Sequence, residues 1–62
     1  MKFEIGNRVR VAASMMTEYV GMEGVIVARH PDDDPDFNTY GLKTDAGSSL
    51  EFLEFQIELV EA

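Results

Sequence analysis

His30 is the single imidazole of a 62-residue chain with no Cys, so the groups that most often act as bases and nucleophiles near neutral pH are scarce. Ser14, Ser48 and Ser49 have no His close to them in sequence. Neither a Gly-x-Ser-x-Gly turn nor a phosphate-cradling glycine loop occurs. His30 stands beside Pro31 and just before Asp32, Asp33, Asp34 and Asp36, where carboxylates would favour its charged form. The simpler alternative is an exposed histidine at a strand end. A domain this small also offers no deep cleft to exclude water. The expectation is a protein that is not an enzyme and takes no cofactor.

The aspartates raise the question of calcium. Asp32, Asp34 and Asp36 fall at positions 1, 3 and 5 of an EF-hand-like frame, but Phe37 stands where the frame needs Gly and Lys43 where it needs Glu. Shifting the start to Asp34 brings in Asp36 and Asn38, yet Thr39 and Asp45 miss the same two marks. A solvated, self-repelling loop accounts for the run, and no metal site is expected.

Cationic chemistry is confined to the first half. Residues 1–30 set Lys2, Arg8, Arg10 and Arg29 against Glu4, Glu18 and Glu23, whereas residues 31–62 set Lys43 alone against five Asp and four Glu. The net charge of −7 repels phosphate backbones, whose binding rests on Lys and Arg displacing counterions. Nucleic-acid binding through Arg8, Arg10 and Arg29, with Tyr19, Phe37 or Tyr40 stacking on bases, is therefore an alternative reading rather than the main one. The converse also stands as an alternative. Glu51, Glu54, Glu58 and Glu61 could imitate a phosphate row and block a nucleic-acid-binding protein.

Apolar side chains in the loops point elsewhere. Met15, Met16, Tyr19 and Met22 cluster in one long loop, and Phe37 and Tyr40 flank a second. Flexible thioethers beside aromatic anchors make an adaptable contact surface, and loops on a rigid scaffold commonly carry recognition. Met15, Met16, Tyr19, Phe37 and Tyr40 are thus candidate partner-binding residues. The competing reading makes Tyr19 and Met22 plugs of the core.

The elements that must position these groups read as strands. Arg8-Val9-Arg10-Val11 alternates after the Gly6-Asn7 turn signal, so Val9 and Val11 are expected inside. Gly21 and Gly24 lead into Val25-Ile26-Val27-Ala28-Arg29, a β-branched run closed by His30-Pro31. Residues 39–44 make a third strand, followed by the Asp45-Ala46-Gly47 turn. The tail is ambiguous. Leu50, Leu53, Ile57 and Val60 suit a helix capped at Ser48, while the alternation through Phe52, Phe55, Ile57 and Leu59 suits strand, turn and strand. Dense Phe, Ile and Val, and the preceding hairpin turn, favour strands. The expected interior is Val9, Val11, Val25, Val27, Leu42, Phe52, Ile57 and Leu59, with Phe3 or Ile5.

Gly6-Asn7-Arg8-Val9-Arg10-Val11, then Gly21-Met22-Glu23-Gly24-Val25-Ile26-Val27, resembles the opening of SH3-like small barrels of the KOW type. The stretch from Asp45-Ala46-Gly47 through Phe52, then Glu54 and Ile57-Glu58-Leu59-Val60, is similar to their closing hairpin, one-turn 3₁₀ segment and last strand. The resemblance implies an all-β, five-stranded SH3-like barrel spanning residues 1–62 as one domain, with the two long loops lying near one another. Similar barrels are accessory subunits of photosystem I, ferredoxin–thioredoxin reductase and nitrile hydratase, or nucleic-acid-binding KOW domains, so kinship of fold leaves function open. No apolar run approaches a membrane span and Met1-Lys2-Phe3-Glu4 opens no signal-peptide core, so a soluble, cytoplasmic protein is expected. The resulting expectation is a non-catalytic protein–protein interaction module or small accessory or regulatory subunit, its partner another protein.

Overall fold

In the computed structural model, which describes residues 1–60, the chain is all-β. The strands are β1 (Arg8–Val11), β2 (Glu23–His30), β3 (Thr39–Thr44), β4 (Ser49–Leu53) and β5 (Ile57–Leu59). Three single 3₁₀ turns join them: η1 (Thr17–Tyr19), η2 (Pro35–Phe37) and η3 (Glu54–Gln56). The tail is therefore strand, turn and strand, and the helical alternative falls. One antiparallel sheet holds all five strands in the order β4-β3-β2-β1-β5.

The two edges are β4 and β5, which η3 connects directly, and no ladder joins them among the described residues. A flat five-stranded sheet would hold its edges roughly 19 Å apart. A three-residue 3₁₀ turn rises only about 6 Å, so the sheet must curl to let η3 pass between its ends. Closure into a complete barrel, which the resemblance implied, is a step further than this open sheet goes.

The concave side holds the core: Phe3, Val9, Val11, Ile26, Tyr40, Leu42, Phe52 and Ile57, with Tyr19, Met22 and Leu50 packed against it. Three expectations are corrected here. In β2 it is Ile26 that is buried, while Val25 is half-buried and Val27 is 53% exposed. The cause is the phase of the alternation: Ile26 pairs with buried Leu42 and shares its inward face, so Val25 and Val27 turn outward, and a bulge before the Ala28–Gly41 pair leaves Val27 with no partner on β3. Leu59 pairs with buried Val9 and so shares its face, yet it is 51% exposed, because it ends the edge strand β5 and no further strand covers it. Of the two amino-terminal candidates, Phe3 enters the core and Ile5 faces solvent.

Gly24 is required by a close approach. A Cβ there would lie 2.5 Å from the Lys43 carbonyl oxygen, so β2 and β3 could not keep their spacing around a larger residue. Gly47 serves the turn instead, at φ 90°, and donates its N–H to the Thr44 carbonyl.

Candidate functional site

The arginines come to the outer face through strand register. Arg10 stands opposite Glu23 on β2 and Glu58 on β5, and Arg8 opposite Val25. Arg10 reaches Glu23 Oε2 at 3.7 Å and Glu58 Oε1 at 3.3 Å. Arg8 reaches Glu23 Oε1 at 3.3 Å and makes a two-pronged contact with Asp45. The hydrogen bond to Asp45, followed by its charge, raises the Arg8 guanidinium above its ordinary value. Three carboxylates thus neutralise the two guanidiniums, while Arg29 lies at the far end of β2. The structure does not gather Arg8, Arg10 and Arg29 into a free basic strip.

His30 faces Glu51 on β4, with Nε2 3.8 Å from Oε1, both side chains being largely exposed. Its carboxylate neighbour therefore lies across β3 rather than in the aspartate run that follows it. Those aspartates hold their own loop. Asp32 Oδ1 accepts from Asp34 N and Asp34 Oδ1 from Asp36 N, while Asp32 N donates to buried Asn38 Oδ1. Such side-chain turns are what Asp and Asn do before a 3₁₀ segment opened by Pro35. No group of three or more His, Asp or Glu placed to hold a metal ion occurs among the described residues.

The row of tail glutamates is also dispersed. Glu51 pairs with His30, Glu58 with Arg10, and Glu54 accepts from the Tyr40 hydroxyl. Glu61 lies outside the described residues.

The candidate contact residues divide sharply. Met15 is 99% exposed, and Met16 and Phe37 are each more than half exposed. Tyr19 is half-buried, its ring edge-on to Phe52 at 6.1 Å, and so helps to cover the core. Tyr40 is wholly buried, edge-on to Phe3 at 5.4 Å, and is corrected from contact residue to core residue. A phenol can enter a core when its hydroxyl finds partners, and here Glu54 and Phe3 N supply them.

One exposed aromatic was missed. Phe55, 69% exposed, sits at the middle of η3 rather than in the alternation of the last strand. Its neighbours pin that turn: Gln56 Oε1 accepts from Leu53 N at 2.8 Å, and the Gln56 carbonyl accepts from Ala12 N and Ala13 N. Phe55 is left projecting between two hollows. The larger, about 370 Å³, is lined by Ala13, Ser14, Met15, Leu53, Phe55 and Gln56. The smaller, about 160 Å³, is lined by Lys2, Pro35, Asp36, Glu54 and Phe55. The signal that could have found Phe55 was the resemblance itself, since a one-turn 3₁₀ segment at Glu54 already takes Phe55 out of a strand.

No protein-family model matches the chain, and no curated protein matches it. Among solved structures, it is similar to the NMR structure of the Bacillus subtilis protein YorP. That likeness has a TM-score of 0.79 at 17% identity and covers 100% of this chain and 74% of YorP. It shows a shared fold. No helix among the described residues is long and apolar enough to cross a membrane.

Proposed function

We propose that this chain is a non-catalytic protein–protein interaction module, or a small accessory or regulatory subunit, built on an SH3-like small barrel. The curled sheet, the 3₁₀ turn before the last strand and the order of turns along the chain support the barrel reading. Met15 carries the functional reading: a large apolar side chain is 99% exposed on the wall of a cleft that Phe55 also lines. Apolar surface left in water beside a preformed cleft gains free energy when a partner covers it. The nucleic-acid alternative is weaker, because Arg8 and Arg10 would have to leave carboxylates they already hold.

The test is affinity capture from cell extract with the tagged chain and with a Met15→Ala/Met16→Ala/Phe55→Ala variant. The partner should be recovered by the native chain and lost from the variant, while the two melt within a few degrees of each other. A variant that still captures the same protein would remove the proposed site.

A further inference from the structure

Phe55 makes the two hollows one continuous face, because it lines both. The larger hollow is bounded by Met15, Leu53 and the small Ala13, with Ser14 and Gln56 as its polar members. It suits one large apolar side chain. The smaller hollow is different: Asp36 and Glu54 line it together with Lys2. Glu54 is engaged by Tyr40, and the Lys2 ammonium lies 5.6 Å from the centre of the Phe3 ring.

The charge around that second hollow is not balanced. Glu51 has His30 at 3.8 Å, and Glu23, Asp45 and Glu58 each have an arginine within 4.0 Å. Asp32, Asp33, Asp34 and Asp36 have no Lys, Arg or His within that distance among the described residues. Four carboxylates outside any ion pair therefore sit in the loop that enters the smaller hollow through Pro35 and Asp36, with exposed Phe37 next to them. Lys2 alone faces Asp36 and Glu54 there. A second copy is a poor occupant, since each brings a net charge of −7. A polyanion meets the same repulsion. What fits is an apolar anchor joined to positive charge.

Resting on the interaction-module reading, we propose that this face binds a short segment of another protein. The segment places one large apolar side chain in the Met15–Phe55 cleft and a Lys or Arg beside Asp36. The apolar anchor supplies most of the affinity. The aspartates speed the encounter and reject acidic competitors, which is how rim charges usually act.

The probe is a random-peptide phage library selected on the immobilised full chain. Enriched peptides are then titrated against two variants that circular dichroism confirms as folded. Met15→Ser/Phe55→Ser alters only exposed apolar groups, and Asp33→Asn/Asp36→Asn alters exposed carboxylates that make no hydrogen bond within the loop. The expected result is a consensus with one apolar residue flanked by Lys or Arg. Binding should be lost on Met15→Ser/Phe55→Ser and weakened about tenfold on Asp33→Asn/Asp36→Asn, the native complex also weakening as salt rises. Peptides that need the cleft but carry no basic residue would overturn this inference and leave the interaction-module reading intact. If no enriched peptide depends on Met15 and Phe55, both fall. A sedimentation-detected dimer that Met15→Ser/Phe55→Ser dissociates would assign the face to a second copy and likewise overturn it.

Discussion

The Tyr40 hydroxyl donates a hydrogen bond to Glu54 Oε2 and so ties β3 to η3 beneath the amino-terminal segment. Phe3 N donates to the Tyr40 oxygen and Lys2 N to Glu54 Oε2, each at 3.1 Å. The bond from Tyr40 is the largest influence holding the Glu54 carboxyl below its ordinary 4.5. Burial first, then the same bond, pushes the Tyr40 phenol above its ordinary 10.0. A lowered carboxyl adds stability that is present above its unfolded value and is lost as pH falls through the folded one. A raised phenol adds stability that is present below its unfolded value and is lost as pH rises through the folded one.

Urea unfolding across the pH range tests this pair. Tyr40→Phe should cost about 1–2 kcal/mol at neutral pH, because it leaves Phe3 N and Glu54 short of a partner. It should also flatten the loss of stability below the ordinary Glu54 value of 4.5. An acid limb identical in Tyr40→Phe and the native chain would refute the coupling.

Alternation along β2 makes neighbouring residues unequal. Ile26 is fully buried and Val27 is 53% exposed, although both are β-branched and adjacent. Ile26→Ala should cost about 2–5 kcal/mol, enough to unfold much of so small a domain, whereas Val27→Ala should cost under about 1 kcal/mol. Thermal melts followed by circular dichroism give both values. Equal losses would mean that Ile26 does not face the core as its pairing with buried Leu42 requires.

These two residues show where sequence reading stops. The alternation Arg8-Val9-Arg10-Val11 and the turn at Asp45-Ala46-Gly47 are local signals, so β1 and the β3–β4 hairpin could be read from neighbours alone. The bulge at Val27 depends on how Leu42 and Gly41 meet β2, which the run Val25-Ile26-Val27 does not encode. The burial of Tyr40 likewise depends on Glu54, fourteen residues away. At the candidate site Met15, Met16 and Phe37 were legible as apolar residues in loops. Phe55 was not singled out, because its alternation with Ile57 and Leu59 reads as part of the last strand until η3 takes it out of that strand.

Gly24 carries a separate prediction. Gly24→Ala puts a methyl group 2.5 Å from the Lys43 oxygen and 2.9 Å from the Thr44 Cα, both backbone atoms that cannot move without breaking the β2–β3 ladder. The expected cost is about 1–3 kcal/mol in urea unfolding, more than glycine's gain in chain entropy would return. Amide exchange should show where: protection falls first at Val25, at Lys43 and at Asp45, whose N–H donates to the Glu23 carbonyl. Native protection at those amides would mean that the strands have room after all.

The arginines give the last test, one that separates partner classes. Glu23 lies 3.3 Å from Arg8 through Oε1 and 3.7 Å from Arg10 through Oε2, so this single carboxylate restrains both guanidiniums. Single-stranded oligonucleotide should give no mobility shift with the native chain at about 50 mM salt, where phosphate contacts are strong. Glu23→Gln/Asp45→Asn removes two negative charges beside the arginines and leaves the strand register alone. It should gain weak binding that disappears as salt is raised, because a few phosphate contacts are readily displaced by counterions. Tight, steeply salt-dependent binding by the native chain would show that ion pairing does not hold Arg8 and Arg10, and the nucleic-acid reading would then outrank the protein-contact one.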